Sequence, residues 1–167
     1  FLTYNLIAKI NHVSAENARY ISAHLAIFLI FSISGIYFYL LSLKISNNEN
    51  FSLTSTALFL LYPYLFGHAQ INEKDIPFLS IWLICTYHLF VIIENLYSDN
   101  KINIKNLIMI AFFTAFLISI RITGILIILE YLVATIILIN VRKIDVFIFF
   151  QKNIFLLFIF ATLLTLF

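Results

Sequence analysis

The chain has 167 residues, of which 63% are hydrophobic and 11% charged, with 19 phenylalanines and a mean hydropathy of +1.04. Soluble domains sit nearer ~45–50% apolar residues, so this composition excludes a soluble globular fold. A formal net charge of +2 is too small to argue for nucleic acid as a partner, and the single cysteine, Cys85, excludes both an intramolecular disulfide and a thiolate metal cluster.

Apolar runs of about 17 residues or more recur along the chain between short polar patches, and a bilayer core asks for about 20 helical residues per crossing. A closed β-barrel would show short alternating segments instead. The expected fold is therefore all-α: a polytopic helical membrane bundle in one domain, 1–167, with about six membrane segments and an N-terminal interfacial helix. The chain starts on Phe1 without a methionine and stops on Phe167 inside an apolar run, so an internal piece of a longer protein, truncated at both ends, is expected.

In chain order, FLTYNLIAKIN places Phe1, Leu2, Leu6, Ile7 and Ile10 mostly on one helical face and is too short to cross a membrane, which suits an interfacial helix. Ser14, Glu16 and Asn17 would open the next helix, whose apolar part runs from Tyr20 to Leu43 and is closed by Lys44. SNNEN, Ser46 to Asn50, is a turn by composition. The next apolar run, Phe51 to Phe66, is short for a full span.

Between that run and the following one lies YPYLFGHAQINEKDIPF, Tyr62 to Phe78, which gathers both prolines with His68, Glu73, Lys74 and Asp75. Gly67 and Pro77 frame a loop or a partial helix; Pro77 disfavours helix at Ile76 and suits the first turn of a span that continues to Tyr97. After SDNKINIKN, the stretch Leu107 to Ile139 is too long for one crossing and is broken at RITG, Arg121 to Gly124, into two short spans. A last apolar run follows Val141, Arg142, Lys143 and Asp145.

Alternating these spans puts Lys44, Lys101, Lys105, Arg142 and Lys143 on one side, against Lys9, Arg19, Lys74 and Arg121 on the other. The positive-inside rule makes the first group cytoplasmic, so the polar stretch and Arg121 share the external face.

Each candidate residue has a plain reading beside a chemical one. Asp75 is either a solvated acid, paired with Lys74 or capping the helix that starts at Pro77, or a carboxylate aimed at a reactant in an external cavity. His68 is either a structural imidazole or, with Asp75, half of a divalent-metal site, and catalytic metal sites ask for about three protein ligands. Arg121 either snorkels to the interface or clamps a phosphate with its planar guanidinium.

Glu130 lies about 9 Å beyond Gly124 by helical rise. It should face the bundle interior, protonated or paired with Arg121 or Lys74. His24 and His88 suit helix-to-helix hydrogen bonds, and Trp82 with most tyrosines suits an aromatic belt near span ends. No GxxxxGK, HExxH or GxSxG motif occurs.

The stretch FGHA, Asn72 and KDIPF (Lys74 to Phe78), followed by an apolar span with Trp82, resembles bacterial membrane glycosyltransferases of the GT-C type. Within that type it is most similar to the dolichyl-phosphate-mannose-protein mannosyltransferase and aminoarabinose-transferase-like group. ISIRITGIL, Ile118 to Leu126, and NARYISAHLA, Asn17 to Ala26, resemble two further stretches of the family.

The resemblance implies an external cavity and transfer of a sugar from a polyprenyl-phosphate donor to a protein, lipid or glycan acceptor, at the outer face of a bacterial inner membrane. It implies that the main catalytic base lies upstream of Phe1, so that this stretch of chain is inactive alone. Asp75 then becomes a second external acid that positions acceptor or metal, and Arg121 the basic residue near the donor phosphate. His68, Lys74 and Asn72 would line the substrate site. Asp75, His68 and Arg121 are then expected to open into one water-filled pocket. A transporter or flippase of a lipid-linked intermediate, and a non-catalytic membrane subunit, remain open readings.

Overall fold

The computed structural model describes residues 15–98 and 103–142. The expected interfacial helix at 1–11, Ser14 and the last apolar run lie outside them. Six α-helices follow one another with no strand among the described residues: α1 (Ala15–Ser46), α2 (Glu49–Leu61), α3 (Pro63–Ile71), α4 (Asp75–Ser98), α5 (Ile104–Ile120) and α6 (Ile127–Arg142). A 3₁₀ turn, Ile122–Leu126, leads into α6.

Among the described residues three stretches are long and apolar enough to cross a membrane: Asn17–Ser46, Asp75–Tyr97 and Ile122–Val141. The chain is thus a helical membrane protein by length and composition of its helices. α5 is equally apolar but has 17 residues, the lower end of the ~17–25 that a crossing uses.

Local chemistry explains most of the breaks. Asn47 takes a positive φ of 51° after α1, the left-handed conformation that asparagine tolerates. Asn48 then caps α2, its side chain accepting the Phe51 N–H at 3.1 Å. The second apolar run stops earlier than its hydropathy suggests, at Tyr62 (φ −57°, ψ 118°), because the residue before Pro63 is pushed out of the helical region. Pro63 restarts the helix at a first-turn position, where its missing N–H costs nothing.

Gly67 therefore lies inside α3 and frames no loop. The expected loop or partial helix contracts to the last turn of α3, residues 72–74 and the first turn of α4. Ile76 is helical and 3% exposed despite preceding Pro77. In the first turn the proline's missing N–H is one of the helix's unpaired donors anyway, and the capping by Asn72 described below holds the turn in place.

The packing separates two compact units, one up to Ser80 and one from Ile81 onward, the division falling inside α4. In the first, α1 packs along α2 and α3, around Ile27, Phe31, Ala69 and Ile76. Phe59 lies 5.4 Å from Phe31 and stacks on Phe38 at 4.7 Å between ring centres. Gly35 permits the approach of α1 to α2, since a Cβ there would stand 2.8 Å from a Leu60 methyl. Ile21, Leu25, Leu29, Ile33 and Ile36 form an exposed stripe along α1, as expected of a face turned to lipid.

In the second unit Ile92 and Leu96 of α4 meet Ile110 of α5 and Leu138 of α6. Gly124 lets the 3₁₀ turn close against the end of α5: a Cβ there would lie 2.8 Å from the Leu117 carbonyl oxygen. Lipid tails are as apolar as leucine, so both cores cohere mainly through dispersion contacts and close backbone approach.

Candidate functional site

The polar stretch between α3 and α4 is organised by one side chain, Asn72. Its backbone N–H closes α3 on the His68 carbonyl at 2.8 Å, and its Oδ1 accepts the N–H groups of Lys74 (3.2 Å) and Asp75 (2.8 Å). Those two N–H groups belong to the start of α4, so Asn72 ends one helix and caps the next, an arrangement worth about 1 kcal/mol. Asn72 is thus a capping residue of this junction. Asp75 opens α4, where a carboxylate complements the helix dipole.

Two backbone donors on Oδ1 also decide which end of the Asn72 amide is nitrogen. Nδ2 then faces Asp75 Oδ2 at 3.0 Å and His68 Nδ1 at 3.4 Å. An amide nitrogen can only donate, so Nδ1 is the accepting nitrogen of His68 and the ring proton sits on Nε2. The His68 ring rests against Tyr64, 4.3 Å between centres.

His68, Asn72 and Asp75 therefore form one connected group, with Asp75 and Lys74 exposed and His68 half-buried. Nδ1 and Oδ2 both meet the Asn72 amide nitrogen, and among the described residues no three His, Cys, Asp or Glu side chains come together.

Arg121 belongs to the second unit. It ends α5 in an extended conformation (φ −148°, ψ 136°), with its N–H on the Leu117 carbonyl and its own carbonyl accepting from Gly124 at 2.8 Å. Its side chain is exposed at the break between α5 and the 3₁₀ turn, at the end of an apolar helix as the RITG pattern suggests.

The second unit holds a polar cluster that the sequence reading placed differently. Glu130, near the middle of the span Ile122–Val141, faces α4, where Trp82 Nε1 donates to Oε2 at 2.7 Å and Thr86 Oγ1 lies 2.9 Å from Oε1. Its partners are these neutral donors, not the expected Arg121 or Lys74. Trp82 accordingly serves an interhelical hydrogen bond and not an aromatic belt. The spacing of Trp82 and Thr86, four residues apart and so on one face of α4, was the available signal.

Interhelical hydrogen bonds in membranes average ~0.6 kcal/mol, against ~2.5–3.5 kcal/mol for a charged side chain at the bilayer centre. Two such bonds offset only part of a full charge.

Deeper in the same unit, the Thr114 hydroxyl lies 2.6 Å from the Ile110 carbonyl, 2.7 Å from the Tyr131 hydroxyl and 3.9 Å from Cys85 Sγ. His88 of α4 meets Asn106 of α5 at 3.3 Å, an interhelical contact of the expected kind. His24 turns to Tyr20 within α1, ring centres 3.9 Å apart, and its ring nitrogens have no hydrogen-bond partner among the described residues. No protein family, curated protein or solved structure matches this chain.

Proposed function

We propose that the protein is a glycosyltransferase of the GT-C type, moving a sugar from a polyprenyl-phosphate donor to a protein, lipid or glycan acceptor. Its KDIPF stretch then lies at the external face of a bacterial inner membrane. α5 and the α2–α3 pair supply membrane segments beyond the three long spans. The observation that carries the reading is the Asn72-centred group, which orients an exposed carboxylate and a histidine Nε2–H donor at the mouth of an apolar helix. The resemblance of FGHA, KDIPF and RITG to the family supports it.

The chemistry asks for little more. The acceptor hydroxyl oxygen bonds to the sugar's anomeric carbon as the bond from that carbon to the phosphate oxygen breaks. The hydroxyl proton passes to a carboxylate base, and the polyprenyl phosphate leaves with negative charge. Asp75, held by Asn72, positions the acceptor hydroxyl; His68 donates from Nε2 to an oxygen of the substrate. Lys74 supplies a fixed cation, and for Arg121 the support is the likeness of RITG to the family together with a guanidinium that suits a departing phosphate.

A transporter of a lipid-linked intermediate is the second reading, favoured by the intraspan carboxyl Glu130. One experiment separates the two. Membranes carrying the full-length gene product are given a labelled polyprenyl-phosphate sugar, and both transfer to acceptor and movement of the donor across the bilayer are followed. Transfer should fall by about 10²-fold in Asp75→Asn and in Arg121→Ala. Undiminished transfer in both variants removes the assigned roles, and donor movement without transfer selects the transporter.

A further inference from the structure

We propose that Glu130, Trp82 and Thr86 form a proton-binding site within the apolar span of the second unit, in which the carboxyl group gains and loses its proton without losing a hydrogen bond. This rests on counting protons at three heavy-atom contacts and is independent of the glycosyltransferase reading.

The indole Nε1–H of Trp82 can only donate, so Glu130 Oε2, 2.7 Å away, is an acceptor in every state. Thr86 has one hydroxyl proton and two neighbours within reach: Glu130 Oε1 at 2.9 Å and the Trp82 carbonyl oxygen at 3.1 Å. A carbonyl oxygen can only accept, so that proton serves one neighbour at a time.

If it points to the carbonyl, the contact between Thr86 and Glu130 is a hydrogen bond only when Oε1 carries a proton and donates it to Oγ1. If it points to Oε1, Glu130 as a carboxylate accepts from both Trp82 and Thr86. The same heavy-atom positions hold the neutral and the charged group; passing from one to the other takes release or uptake of the Glu130 proton by exchange with water, together with a rotation of the Thr86 hydroxyl.

A carboxyl suits both arrangements, whereas a glutamine has fixed donor and acceptor ends and suits one. The titratable groups flanking the site are Cys85, beside Thr86 on α4, and Tyr131, beside Glu130 on α6. From α5 comes the Thr114 hydroxyl, held by Tyr131 and Ile110. Glu130, Trp82 and Thr86 are each half-buried, so the site is enclosed by apolar helices without being sealed.

Trp82 is the one tryptophan in these 167 residues. Its emission is measured as a function of pH in the protein reconstituted in phospholipid vesicles, and assigned by its loss in Trp82→Phe. The expected result is a reversible pH-dependent change that disappears in Glu130→Gln and persists in Asp75→Asn and Thr86→Ser. In parallel, a hydrophobic carbodiimide is applied to the wild-type protein. It takes the carboxyl proton onto nitrogen as the carboxyl oxygen bonds its central carbon, so it traps only the protonated acid. A mass adduct on Glu130 should grow as pH falls. Emission that does not vary with pH, a variation that survives Glu130→Gln, or no pH-dependent adduct on Glu130 overturns the proposal.

Discussion

The two units solve the same problem, placing polar side chains in a chain of mostly apolar helices, in opposite ways. In the first, His68, Asn72 and Asp75 sit at a helix junction, and the residues that satisfy one another are three or four apart in sequence. In the second, Glu130 and Tyr131 lie within a span, and their partners are brought from other helices: Trp82 and Thr86 stand 48 and 44 residues from Glu130, Thr114 17 from Tyr131. The difference teaches that depth dictates the range of the partner. An acceptor at a helix end can be served by neighbouring backbone N–H groups, but within a span those N–H groups are already paired, so an acceptor such as Glu130 takes its donors from another helix.

Substitutions that strain each unit test this contrast. The largest effect is expected at Gly124, where an added Cβ meets the fixed Leu117 backbone at 2.8 Å. Gly124→Ala should lower stability by about 1–3 kcal/mol in denaturant unfolding in micelles followed by circular dichroism. Gly35→Ala should cost less, because the obstructing atoms belong to the movable Leu60 side chain. Equal losses would show that both glycines face equally rigid neighbours.

Next comes the junction. Asn72→Ala removes the cap of α4 and should cost about 1 kcal/mol; on the proposed glycosyltransferase reading it should also abolish sugar transfer. Asn72→Asp still accepts the two backbone N–H groups and so should keep the stability, but it cannot donate to Asp75 and His68 and should still lose transfer. Transfer that survives in Asn72→Asp would reduce Asn72 to a structural cap.

Gly67→Ala should act in the opposite direction, with a gain of roughly 0.5–1 kcal/mol, because the position is helical and nothing stands within 4 Å of an added Cβ. A loss there would mean that α3 unwinds at Gly67. The smallest effect belongs to the intraspan pair. Thr114→Val and Tyr131→Phe should each be mildly destabilising, and a double-mutant cycle should give a coupling of ~0.6 kcal/mol. Zero coupling would show that the two hydroxyls are not bonded in the membrane.

Much of the architecture was legible from hydropathy and punctuation. Tyr20 to Leu43 reads as a span and lies within Asn17–Ser46; the run after Pro77 extends through Asp75–Tyr97; RITG marks the break at Arg121. The exception was Tyr62. Hydropathy carried the second run through to Phe66, whereas Pro63 acts through the backbone of the residue before it, which no side-chain scale records. At Gly67 the short helix forms and not the loop, since a glycine permits a turn but does not require one.

The junction chemistry was half legible. His68, Asn72, Lys74 and Asp75 were visible as a polar group because they are sequence neighbours. That Asn72 caps the junction depended on which side-chain oxygen reached which N–H.

By itself, then, the sequence determined a helical membrane chain, the positions of its long spans and the polar stretch between Tyr62 and Phe78, because hydropathy, helix length and turn residues are local properties. Only the tertiary structure decided the partner of Glu130. An unmatched carboxyl in a span points with equal force to any donor in the chain, and sequence separation says nothing of which one arrives. Trp82 and Thr86 won because the packing of α6 against α4 turns one face of α4 toward Glu130, and two neutral donors on that face lie within hydrogen-bond reach of its oxygens.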